Sequence, residues 1–87
     1  MRWEIHYSNK AEKFIKKHDI LEKVQDKILQ LLKSQKGEAQ PPDTKALKGI
    51  WKGYYRIRFS DYRIIFAIEQ SENIVYIEAV DFRGNIY

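Results

Sequence analysis

Three arginines, Arg56, Arg58 and Arg63, sit inside YYRIRFSDYRIIF (residues 54–66), a segment otherwise built for strands. Arginine presents a planar, permanently charged fork that matches a phosphate group bidentately. Residues 45–63 hold six basic residues (Lys45, Lys48, Lys52, Arg56, Arg58 and Arg63) against Asp61 alone. The remaining positions carry ten basic and eleven acidic residues, so the whole net charge of +4 comes from this one window. A clustered basic patch calls for an anionic partner, nucleic acid first, where scattered lysines would be only a solvated face.

Whether the arginines act together depends on register. With Ser60-Asp61 as a two-residue hairpin loop, Phe59 faces Tyr62, Arg58 faces Arg63, Ile57 faces Ile64 and Arg56 faces Ile65. Opposed residues share a sheet face. Ile57, Phe59, Tyr62, Ile64 and Phe66 then form an apolar face for helices to cover, and the three arginines converge on the other. A slip of one residue would separate them. Like charges placed opposite one another destabilise a sheet by about 0.2–1 kcal/mol, a penalty that a bound anion would offset.

The elements that position this hairpin are readable upstream. RWEIHYS alternates, with Trp3, Ile5 and Tyr7 on one face and Arg2, Glu4 and His6 on the other, as a half-buried strand does. NKAEKFIKKH predicts a short helix with Asn9 as cap and Glu12 completing a capping box. DILEKVQDKILQLLKSQKG predicts a longer one, with Asp19 as cap, Ile20, Leu21, Val24, Ile28, Leu31 and Leu32 on one face, and Gly37 as stop. EAQPPDTKA reads as the loop that carries the chain to the sheet, because Pro41-Pro42 excludes helix or central strand. Strands are expected at 54–59, 62–69 and 74–80, the last of them central. His6 falls on a polar face and His18 at a helix end, and neither is placed for chemistry.

These elements predict one domain over residues 1–87 of α+β class, in the order β-α-α-β-β-β. Two N-terminal helices would pack on one face of a mainly antiparallel four-stranded sheet. Twelve aromatics can fill a small core, although a chain of this length buries only about 60–65% of its unfolded surface. The absence of cysteine excludes disulfides and thiolate metal sites. No apolar run approaches the ~20 residues of a membrane span and the N-terminus has no apolar signal core, so a cytoplasmic location without membrane contact is expected. At the C-terminus, VDFRGNIY places Arg83 at the edge of the arginine face. Tyr87 there offers a ring to stack on a base and a hydroxyl to reach a phosphate.

LKGIWKGYYRIRFSDYRIIFAI followed by IVYIEAVDFRGNIY resembles the RelE/ParE toxin superfamily of type II toxin–antitoxin systems, and within it the RelE-type mRNA interferases. The resemblance is strongest over residues 47–87. It implies a toxin that cuts mRNA in the ribosomal A site without a metal or other cofactor. The 2′-hydroxyl would attack the adjacent phosphorus and leave a 2′,3′-cyclic phosphate. By position, the family's catalytic residues fall on Arg56, Arg58, Arg63, Arg83 and Tyr87. Some members carry lysine where Arg56 and Arg58 stand. Lys45, Lys48 and Lys52 are then expected to track mRNA or rRNA backbone, a salt-sensitive contact. The resemblance also implies a cognate antitoxin protein as partner. ParE-type members share the fold and target DNA gyrase, so a gyrase inhibitor without nuclease activity is the alternative, beside a non-toxic RNA-binding relative.

Overall fold

The computed structural model describes residues 2–82. Strand β1 (Glu4–Tyr7) leads into helix α1 (Asn9–His18) and helix α2 (Leu21–Gln35). A short strand β2 (Asp43–Ala46) and a single 3-10 turn (Gly49–Trp51) precede β3 (Tyr55–Phe59), β4 (Tyr62–Glu69) and β5 (Ile74–Phe82). The sheet order is β1-β5-β4-β3-β2, with β1 parallel to β5 and every other pairing antiparallel. The α+β class, the central place of β5 and the helices on one face match expectation, but the sheet has five strands rather than four. The extra strand is the stretch DTKA, expected to be loop. Pro42 stops just short of it, and as an edge strand β2 pairs along one side alone, which a preceding proline tolerates.

Helix boundaries correct two cap assignments. Ser8, not Asn9, caps α1: its hydroxyl accepts from Ala11 N at 3.0 Å, and Asn9 is the first helical residue. Asp19 does not start α2. It ends α1 in the left-handed region (φ 52°, ψ 51°), and α2 begins after Ile20 with no side-chain cap. Asp is among the few residues that enter that region readily. Gly37 stops α2 as expected: at φ 76° it lets Glu38 N reach Lys33 O at 2.9 Å.

The core lies between the helices and one sheet face. Ala11 and Ile15 of α1 and Val24, Ile28, Leu31 and Leu32 of α2 meet Ile57, Ile64, Phe66, Val75, Ile77 and Val80. Leu21, expected on this face, is instead 46% exposed. The predicted hairpin register holds throughout, from Phe59↔Tyr62 to Arg56↔Ile65. Ser60 alone of the two loop residues takes a positive φ (51°), so the loop is not type I′, which needs both.

A bulge completes the sheet. Ile65 pairs with Ala79 and Phe66 with Ile77, which leaves Glu78 as the extra residue of β5. Strict alternation could not bury Ile77 and Val80 on one face. The inserted residue lets Val75 and Ile77, then Val80 and Phe82, point toward the helices. Ser8 Oγ donates to the Glu78 carbonyl at 2.6 Å, so one hydroxyl caps α1 and satisfies the bulge. The same shift turns Asp81 to the face opposite the helices, directly across from Arg63.

Candidate nucleic-acid interface

The face away from the helices carries two rows of residues running across the sheet. One row is Asp43 on β2, Arg58 on β3, Arg63 on β4 and Asp81 on β5. The next is Lys45, Arg56, Ile65 and Ala79 on the same strands. Arg58 and Arg63 oppose one another, as the hairpin register requires. The sequence reading left a bound anion to offset their repulsion. The protein supplies its own carboxylates at both ends of the row.

Asp43 makes the tighter of these links. Its Oδ2 accepts from Arg58 Nε at 2.9 Å and its Oδ1 from Arg56 Nη1 at 3.2 Å. Arg56 Nη1 also reaches the Asp43 carbonyl at 3.3 Å. The hydrogen bond from Arg58, then that from Arg56, holds the Asp43 carboxyl below its ordinary value near 3.8. With half its side chain in water, Asp43 acts more as an orienting clamp than as a source of stability. Asp81 Oδ1 accepts from the neighbouring Phe82 N at 2.7 Å.

Beside the charges lies an apolar floor. Ile65 and Ala79 are buried on this face, outside the helix-side core. The Arg56 side chain is 11% exposed and that of Arg58 36%. Lys45, Ala46, Leu47 and Lys48 join Arg56, Arg58 and Arg63 around an open groove of about 480 Å³. Fixed guanidiniums over a floor of low polarity act on an anion far more strongly than the same groups in water.

The residues singled out from sequence therefore divide. Arg56, Arg58, Arg63, Lys45 and Lys48 come together on one groove. Lys52, exposed at the end of the 3-10 turn, does not line it. Arg83 and Tyr87 lie outside the described residues. Sequence reading missed Asp43, whose partners are 13 and 15 residues away and become visible once β2 is known to be a strand. His18 sits in an aromatic cluster against Phe14 (ring centroids 4.2 Å) and Phe82 (5.1 Å), away from the groove. His6 hydrogen-bonds Glu4 at 2.8 Å on the opposite edge strand. Among the described residues no set of His, Asp and Glu side chains is grouped to hold a metal ion, and no helix is long and apolar enough to cross a membrane.

Comparison with known proteins agrees with this geometry. A chain of the YoeB–YefM complex from Staphylococcus aureus is 25% identical, over 95% of this chain and 99% of its own, with a TM-score of 0.65. YafQ from Escherichia coli (19% identity, 99% of both chains, TM-score 0.64) shares the fold. So does a chain of the archaeal RelE–RelB complex from Pyrococcus horikoshii (18% identity, 98% and 99% covered, TM-score 0.67). No curated protein matches the sequence. The family model described as the ParE toxin of type II toxin–antitoxin systems, parDE, matches residues 5–87. That match takes in both helices, all of the described strands but the first residue of β1, and Arg56, Arg58 and Arg63, and the chain belongs to this toxin family, within the RelE/ParE superfamily.

Proposed function

We propose that this toxin is a ribosome-dependent endoribonuclease that cleaves mRNA in the A site without a metal. The observation that carries the reading is the Arg58–Arg63 pair, held side by side at the head of a basic groove. A protein that only docks on a partner has no need to concentrate guanidiniums at one point. A phosphoryl transition state does.

In this reading the 2′-oxygen of one nucleotide attacks the adjacent phosphorus and loses its proton to solvent water. The bond from phosphorus to the 5′-oxygen of the next nucleotide breaks, and that oxygen takes up a proton. The products are a 2′,3′-cyclic phosphate and a free 5′-hydroxyl. Charge grows on the two non-bridging oxygens, where Arg58 and Arg63 would hold it. Removing one such preorganised donor typically lowers the rate by about 10²–10³. The Arg56 guanidinium is a fork of N–H donors with no acceptor, and its part would be to orient the 2′-hydroxyl and support Asp43. Arg83 would protonate the leaving 5′-oxygen and Tyr87 would stack on a base. Lys45 and Lys48 would hold backbone phosphates along the groove, and Lys52 those outside it. So sparse a site leaves alignment of the RNA to the ribosome, and alignment is a large share of such a barrier. Free RNA is then a poor substrate.

YoeB–YefM from Staphylococcus aureus is a heterotetrameric toxin–antitoxin complex, and the Pyrococcus horikoshii neighbour is a RelE–RelB complex. By analogy this chain binds a cognate antitoxin in the cytoplasm, and its basic groove would favour an acidic segment of that partner.

The deciding experiment is to induce the chain without an antitoxin in growing cells and map the 5′ ends of a translated message by primer extension. In-frame cuts that vanish with Arg63→Ala carry the reading. The match to the parDE toxin model favours a second one, in which the chain inhibits DNA gyrase and cuts no RNA. Growth arrest with DNA-damage signalling and an intact message would establish that reading in place of the first.

A further inference from the structure

The groove ends at a turn that the nuclease chemistry does not use. Between β2 and β3 the chain makes one 3-10 turn, Gly49–Trp51, closed by Lys52 N to Gly49 O (3.1 Å), Tyr54 N to Trp51 O (3.0 Å) and Leu47 N to Tyr54 O (3.0 Å). Gly49 (φ 69°) and Gly53 (φ 95°) take the positive φ values that let so short a loop reverse. Trp51 stands edge-on against Tyr54, with ring centroids 5.4 Å apart, and braces the turn from within. Ile50 projects from its tip and is 95% exposed. Neither the backbone bonds nor the aromatic brace requires an isoleucine there.

We propose that this turn is a second RNA-contacting surface, in which Ile50 packs against an unstacked base of structured RNA while Lys48 and Lys52 hold the flanking phosphates. The inference rests on the RNA-directed reading above and extends it from the cleaved strand to the RNA that presents it. Charge points to a polyanion, which on that reading is the RNA: residues 44–60 hold five basic side chains and no acidic one, and Ile50 is flanked by a lysine two positions away on each side. Lys48 and Leu47 also wall the arginine groove, so the turn and the groove form one continuous surface. Looped RNA offers splayed bases to such an apolar tip, whereas a regular duplex keeps its bases stacked. The braced backbone loses little freedom on binding.

The test measures co-sedimentation of the full chain with mRNA-programmed ribosomes, in parallel with cleavage of the bound message. Ile50 is almost wholly exposed, so Ile50→Ser should leave the melting temperature unchanged. It is expected to weaken ribosome binding roughly tenfold while cleavage per bound chain stays near wild type. Lys52→Ala should lower the salt slope of binding by about one, and Ile50→Ser should leave that slope alone. Arg63→Ala should show the reverse pattern, retained binding with cleavage lost. Wild-type binding by Ile50→Ser would overturn the inference and leave the nuclease reading standing. So would a variant that keeps its ribosome affinity but loses its antitoxin, which would assign the turn to a protein interface. A wild-type chain that neither binds ribosomes nor cuts their message would overturn both.

Discussion

Asp43 Oδ2 lies 2.9 Å from Arg58 Nε, across the pairing of β2 with β3. That contact explains how a sheet tolerates Arg58 facing Arg63. Each arginine has a like charge on one side and a carboxylate residue on the other, so the row Asp43–Arg58–Arg63–Asp81 is neutral overall. The arginines are held ready for an anion and do not depend on one to fold.

Asp43 gives the fold a distinct acid response. Its carboxyl is held below the ordinary value near 3.8, by Arg58 first and Arg56 second. A group lowered on folding contributes stability that is fully present above its unfolded pKa and is lost as pH falls through the folded one. Wild type and Asp43→Asn should therefore differ in melting temperature by a small, constant amount from about pH 7 down to about pH 5, then converge at lower pH. Melts across that range check it. A gap that persists at about pH 2 would show that Asp43 stabilises by shape rather than by charge.

Replacing an arginine by lysine tests whether geometry or charge matters at the row. Lysine keeps the charge but replaces the planar fork with a single ammonium point. Arg63→Ala should reduce cleavage of a ribosome-bound message by about 10²–10³, and Arg63→Lys should recover a minor part of it. Single-turnover cleavage at saturating toxin reads the effect free of binding. Full recovery by lysine would mean that charge alone suffices and that bidentate contact with phosphate has no role.

The core makes a separate prediction. Phe66 is fully buried on β4 and Ile28 fully buried on α2, within the same cluster. Phe66→Ala should destabilise by about 3–5 kcal/mol and Ile28→Ala by about 2–5 kcal/mol. Either loss is a large fraction of what a domain of this size possesses. Urea unfolding followed by circular dichroism measures both. Leu29→Ala on the exposed side of α2 is the control and should shift the midpoint little.

What could be read from the chain depended on how local the cause was. The hairpin register was legible because Ile57, Phe59, Tyr62 and Ile64 alternate cleanly around a short loop. The bulge at Glu78 was not, because NIVYIEAV is apolar on both faces and gives no phase to detect a slip. Asp19 misled because Asp-x-x-Glu describes a helix start, while the same aspartate is equally suited to a left-handed helix end. Strand β2 was hidden by the prolines before it, and with it Asp43, whose partners lie on another strand. The three arginines were found by their spacing in sequence. What orients them was not, since it exists only once the sheet is assembled.

Ser8 separates the two descriptions of the first helix. Its hydroxyl accepts from Ala11 N and donates to the Glu78 carbonyl, so it joins α1 to the bulge of β5. Loss of a serine cap typically costs about 0.5–2 kcal/mol, and a second hydrogen bond adds about 0.5–1.5 kcal/mol. Glu78 is exposed and water can replace part of that second bond, so Ser8→Ala should destabilise by roughly 1–2 kcal/mol in denaturant unfolding. Asn9 is exposed and already helical, and Asn9→Ala should change stability by no more than about 0.5 kcal/mol. Ser8→Thr, which keeps the hydroxyl, should restore most of the loss. If Asn9→Ala proved the more harmful, Asn9 would be the cap and the link from α1 to the bulge would carry no energy.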